Sequence, residues 1–157
     1  DFKDIVPTIV KMPAIESYYI RNKGYNINIK ETWQKLQTWI LTNDIISYKR
    51  IALFHDNPTI TPLNECQYIG CVMVEDNQEV KSDRLPKFKI AEGVYAKFDL
   101  KGKTGDVLPF IHWVYHEWLP KNEYETTTKP SYAIYNKIDF LDESNEFDLS
   151  FYVSINF

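Results

Sequence analysis

Glycine is scarce in this chain, with 5 in 157 residues, and cysteine scarcer still, with 2. So few glycines leave no Gly-rich loop to cradle a phosphate, and no serine sits in a G-x-S-x-G turn. Nucleotide and serine-hydrolase chemistry of those kinds is excluded. Cys66 and Cys71 lie five apart, a spacing that on one strand sends their side chains to opposite faces, so they cannot share a metal. A chain of this length buries about two-thirds of its unfolded surface and needs no disulfide to fold. No apolar run approaches the roughly 20 residues of a membrane span, and Asp1-Phe2-Lys3-Asp4 has no basic region leading into an apolar one. Cationic surplus is also missing. Lys and Arg number 18 against 22 acids, net charge -4, and they are scattered, which argues against direct nucleic-acid binding by this segment. The expectation is one soluble, intracellular, cytoplasmic domain over residues 1–157. A start at Asp1 and not Met marks a candidate fragment, whose missing part could hold the other half of the function.

What is abundant is aromatic. Phe, Tyr and Trp make up 15% of the chain, with 4 Trp and 11 Tyr. Such side chains bring flat apolar faces with a polar handle, suited to ligand pockets. The chain also repeats itself. Met12-Pro13-Ala14-Ile15 through Lys23-Gly24 returns 78 residues later as Ile90-Ala91-Glu92-Gly93 through Lys101-Gly102. Trp39-Ile40 matches Trp118-Leu119, and at a spacing of 81 Ala52-Leu53-Phe54 matches Ala133-Ile134-Tyr135 and Asn64-Glu65 matches Asn145-Glu146. Two repeats, about 5–76 and 86–157, imply a pseudo-two-fold axis with a cleft at the seam.

Patterning gives each half the order strand, helix, strand, strand. Strands are expected at 5–12 and 15–22, broken by Pro13. Ile29, Trp33, Leu36, Trp39 and Ile40 recur at helical steps from Asn28 to Leu41, with Asn28 and Glu31 resembling a capping box. Strands follow at 50–55 and 67–75, and Asp76 to Pro86 reads as a linker. In the second half, strands at 87–90 and 93–100 precede a helix from Val107 to Trp118, with Pro109 in its first turn and Pro120 as its stop. Residues 131–138 and 146–156 close the chain, the last alternating apolar and polar with period two. The fold class is α+β, with antiparallel sheets and helices on one face.

Chemical signatures are thin. His112 and His116 stand one helical turn apart without a third ligand in register, so no metal and no cofactor is expected. His55 and Asp56 are adjacent and point apart. Trp39 and Trp118 are placed in the core, while Trp33, Tyr19, Phe54, Tyr95 and Tyr135 are candidates for the cleft, the last four on strands that the symmetry brings together. On strand parity Ala133 shares a face with Tyr135, and Phe147 with Leu149.

The succession Tyr19-Ile20-Arg21-Asn22-Lys23-Gly24-Tyr25, the helix ending in Trp39, Phe54-His55-Asp56-Asn57-Pro58, Glu92-Gly93-Val94-Tyr95-Ala96, Trp118-Leu119-Pro120 and Pro130-Ser131-Tyr132-Ala133-Ile134-Tyr135 resembles the GyrI-like effector-binding domain. That module occurs in bacteria at the C-terminus of AraC-type and MerR-type transcription regulators and as a free-standing protein. The resemblance implies a small-molecule ligand between repeats, bound by Trp33, Tyr95, Tyr135 and Phe147 with Tyr19 and Phe54 as symmetry partners, and an attached DNA-binding domain as a partner. Relatives carry a pocket Glu where this chain has Ala133, so cation selection by that route is lost. The runners-up are a free-standing hydrolase of reactive small molecules and a gyrase-modulating protein-binding module.

Overall fold

The computed structural model describes residues 2–25, 28–82, 84–138 and 146–156. Asn145, one of the residues matched in the repeat, lies outside them. The strands are β1 (Thr8–Met12), β2 (Ile15–Lys23), β3 (Tyr48–Phe54), β4 (Gln67–Val74), β5 (Lys87–Ile90), β6 (Gly93–Lys103), β7 (Glu125–Thr126), β8 (Ser131–Ile138) and β9 (Glu146–Asn156). Eight of them follow the antiparallel order β1-β6-β9-β8-β3-β4-β2-β5, and β7 pairs with the end of β9. This is one sheet, where the two strand-helix-strand-strand units lead to an expectation of antiparallel sheets in the plural. β1 starts three residues later than expected, beyond Pro7, and β3 begins two residues earlier.

The sheet is curled. Val10 and Met12 of β1 and Phe88 and Ile90 of β5, at opposite edges of the strand order, pack into one cluster with Ile51 and Leu53 from its centre. An open sheet cannot do that; a half-barrel can, and it buries its own inner face without a covering helix. The outer face carries the helices. Ala52, Phe54, Ala133, Tyr135, Phe147 and Phe151 share a second cluster with Trp33, Leu36 and Ile40 of α1 (Ile29–Thr42) and Phe110 and Ile111 of α2 (Val107–Trp113). β3 is therefore buried on both faces from Ile51 to Phe54, which explains its unbroken apolar run.

The helix ends depart from expectation in two ways. Asn28 lies in the left-handed region at φ 59 and makes no side-chain cap hydrogen bond. Its carbonyl instead accepts from both the N–H and the hydroxyl of Thr32, each at 3.1 Å, and Glu31 pairs with Lys35 at 3.3 Å, so no capping box forms. In the second half α2 runs into a π-helical turn over Val114–Trp118, where the Leu119 N–H donates to the Val114 carbonyl five residues back. A last turn, Leu119–Lys121, contains Pro120, so the proline sits inside the helix end and does not stop it. A proline lacks the N–H for an ordinary rung and crowds the carbonyl four residues back; the widened turn just before it relieves that conflict.

Gly70 of β4 faces α1 and fixes how closely helix and sheet approach. A Cβ there would lie 2.9 Å from Leu36 Cδ1 and 3.0 Å from Thr32 Cγ2. Gly70→Val should therefore lower unfolding free energy by about 1–3 kcal/mol through overpacking, measured by denaturant titration, whereas Gly105→Ala, which meets nothing within 4 Å, should leave the midpoint within error.

Candidate functional site

The seam of the sheet is the β3·β8 ladder, in which Ala52 stands opposite Ala133 and Arg50 opposite Tyr135. Both alanines are fully buried on the helix face. Two methyl groups at the centre leave room for rings from every side, and the rings come. Trp33 meets Tyr135 edge to face at 5.9 Å, Phe54 meets Tyr25, Tyr68 and Phe151 at 5.3, 5.6 and 6.1 Å, and Phe98 meets Phe110 at 5.6 Å.

Polar handles tie the apolar bodies together. Trp33 Nε1 donates to the Tyr68 hydroxyl at 2.9 Å, and Tyr68 in turn hydrogen-bonds Tyr135. Tyr25 donates to the Asp56 carbonyl at 2.6 Å and accepts from the Asp56 N–H at 2.8 Å. Burial pushes the hydroxyls of Tyr25, Tyr68 and Tyr135 well above the ordinary phenol value, because a phenolate in the seam would lose its water. Tyr115, from the π turn, is raised for the same reason, with Ser131 pulling the other way. At neutral pH these groups are donors and acceptors without charge.

Of the residues the sequence singled out, Trp33, Phe54, Ala133, Tyr135 and Phe147 lie in this helix-side cluster. Tyr95 and Tyr19 do not. Tyr95 is buried on the inner face of the half-barrel, its hydroxyl donating to the Ala91 carbonyl at 2.5 Å and its ring against Tyr132 and Tyr152 at 5.3 and 6.4 Å. Tyr19 packs on the same inner face against Phe88 at 5.8 Å. β2 and β6 are separated by four strands, yet the curl turns Tyr19 and Tyr95 onto the same inner face, away from the helix-side cluster. Trp39 is core, but Trp118 is half-buried, stacked on Tyr124 at 5.6 Å beside an outer groove. Tyr68 and Tyr25 went unseen in the sequence. Tyr68 stands opposite Phe54 in the β3·β4 register, information that strand parity without pairing does not carry.

The seam opens at one end. A cavity of about 410 Å³ is lined by Ile46, Ser47, Tyr48, Arg50, Glu75, Tyr135 and Asn136, so Tyr135 belongs both to the buried cluster and to the opening. His112 and His116 lie 5.3 Å apart, with their rings tilted to one another, on the exposed helix surface, and among the described residues no three His, Cys, Asp or Glu side chains converge as a metal site. Cys66 and Cys71 are free thiols on opposite faces.

Comparison with known proteins agrees with the architecture. The model of the GyrI-like small molecule binding domain matches residues 6–155. A DNA gyrase inhibitor of Citrobacter koseri is 24% identical over 129 residues, covering 81% of this chain and 82% of that protein. The EcmrR–DNA complex superposes with a TM-score of 0.73 at 16% identity over 97% of this chain and 57% of that one. A hydrolase from Listeria innocua superposes with a TM-score of 0.64 at 10% identity, covering 99% and 95%.

Two outcomes follow from the buried hydroxyls. Tyr68→Phe removes the hydroxyl that accepts from Trp33 Nε1 and bonds Tyr135, and should cost about 1–3 kcal/mol in unfolding free energy, with a shift in Trp emission. Burial also raises Cys71 from 9.0 to about 12, and the seam phenols move the same way. Their folded values lie above the unfolded ones, so their contribution is whole below about pH 9 and is lost as pH rises and the unfolded thiol and phenols ionise. The denaturation midpoint should fall above about pH 9–10, and a flat profile to pH 11 would contradict the assignment.

Proposed function

The chain belongs to the GyrI-like small-molecule binding domain family, and from that premise we propose that it is the ligand-sensing part of a transcriptional regulator, holding an aromatic or apolar molecule at the β3·β8 seam. The observation that carries this is the Trp33–Tyr68–Tyr135 chain over the Ala52 and Ala133 pair, continuous with the opening at Tyr135. Trp33, Phe54, Phe147 and Tyr135 form the walls, Tyr135 adds a hydroxyl, and Ala133 forms the floor. Tyr95 and Tyr19 support the sheet from its inner face. Without a carboxylate at position 133 the floor has no charge with which to select cations. The partner is an attached DNA-binding domain of AraC or MerR type, whose arrangement a ligand biases only through unequal affinity for two states.

Two further readings have support of their own. A gyrase-modulating role is supported by the Citrobacter relative and a hydrolase by the Listeria neighbour. The hydrolase reading needs an acid or nucleophile at the seam, and among the described residues Ala52 and Ala133 occupy its centre. The domain division is also part of the proposal: two units of common descent. Its support is register. Shifts of 78 for β1 and β2 and of 81 for β3 and β4 turn the pair Tyr19–Cys71 into Lys97–Tyr152, Ala52–Gly70 into Ala133–Phe151, and Ile15–Ile90 into Gly93–Met12, each a pair in the sheet.

Apolar aromatic dyes should quench Trp33 emission, read as the difference between wild type and Trp33→Phe. Tyr135→Ala should weaken their binding by about 1–2 kcal/mol through lost stacking and burial, whereas Tyr95→Ala, if folded, should change affinity little. Equal loss in both variants would place the ligand elsewhere. Ala133→Glu should create a preference for a cation over its neutral isostere, at a stability cost of a few kcal/mol while the acid is unpaired; calorimetry with a matched pair decides it.

A further inference from the structure

We infer that the opening of the seam is an anion subsite built on Arg50, and that the ligand is an aromatic carboxylic acid whose ring enters the seam and whose carboxylate stays at the mouth. This deepens the sensor reading and rests on it. Arg50 stands directly opposite Tyr135 in the β3·β8 ladder and two residues before Ala52, on the strand face that carries Ala52, Phe54, Ala133 and Tyr135. A cation therefore occupies the helix-side row of the same seam whose floor lacks an acid.

The guanidinium is held in place. It donates to Gln37 Oε1 from α1 and lies over the Tyr48 ring at 5.2 Å. Among the described residues it makes no ion pair, so donors of its planar fork remain for a ligand carboxylate, which such a fork binds through two parallel hydrogen bonds. The segment of the lining that precedes Tyr48 is tied down by hydrogen bonds as well. Gln78 accepts from the N–H groups of Ile46 and Ser47 and donates to the carbonyls of Ser47 and Glu75. Glu75, the acid of the lining, accepts from the Ser47 hydroxyl at 3.3 Å. The mouth itself, about 410 Å³, leaves room for a carboxylate and for part of the ring beside Tyr135.

The probes are 1-naphthoate, 1-naphthamide and 1-naphthylmethylammonium, titrated into the full chain with Trp emission and calorimetry as readouts. The acid should bind about tenfold more tightly than the amide and the ammonium most weakly. Arg50→Gln should erase the gap between acid and amide while the amide keeps its affinity, and Arg50→Lys should keep part of it. Should Arg50→Gln fail to fold, wild type at about 1 M salt serves the same end, because an exposed ion pair is screened there and the gap should shrink. Equal binding of acid and amide, or a gap that survives both Arg50→Gln and high salt, would overturn the anion subsite and leave the aromatic seam standing. No binding by any of the three would sink the sensor reading itself.

Discussion

The structure depends on one ladder, the antiparallel pairing of β3 with β8. It joins the two halves of the chain at the middle of the sheet, and no other described strand pair does so there. β3 from Ile51 to Phe54 and β8 from Ser131 to Tyr135 are buried on both faces, so their backbone groups there have no water to turn to and must bond to each other and to β4 and β9. Ala52 opposite Ala133 puts two small residues in the outer-face row, and the rings of α1, α2, β4 and β9 share their cluster. Larger residues there would push the helices out; the small pair is what lets an aromatic layer form above a sheet.

That layer is held by polar atoms placed inside an apolar environment. A buried indole N–H or phenol without a partner costs on the order of 1–3 kcal/mol, so Trp33, Tyr68 and Tyr135 are stable together and costly apart. The arrangement is specific where a layer of Phe and Leu would be merely greasy. The GyrI-like domain thus combines a continuous sheet with a cluster that satisfies its own polar groups.

Much of this was legible in the sequence where one physical rule acts alone. The 3.6-residue period of Ile29, Trp33, Leu36 and Ile40 marked α1 almost to the residue, and the period-two run from Phe147 to Ile155 marked β9. Failures came where two rules compete. Asn28 looks like a side-chain cap, yet with its backbone in the left-handed region the side chain makes no cap hydrogen bond and the carbonyl accepts from Thr32. Pro120 looks like a stop, yet a widened turn absorbs it, and no spacing of apolar residues announces an extra residue in a turn. For the site, parity sorted residues of one strand into two sets but could not say which set the helices cover. Hence Tyr95 and Tyr135 were grouped together, although the strand order puts them on opposite faces.

The edges of the sheet carry a consequence of a mechanical kind. β1 precedes β2 in the chain but hydrogen-bonds to β6, and β5 precedes β6 but hydrogen-bonds to β2. Each half therefore reaches across and clasps the flank of the other, so the molecule is fastened at both rims as well as along the midline. Prising the halves apart would have to break three ladders at once. The curled sheet is accordingly the part of the fold in which a relative movement of the halves breaks the most hydrogen bonds, and the helices and loops are the parts that shift at least cost.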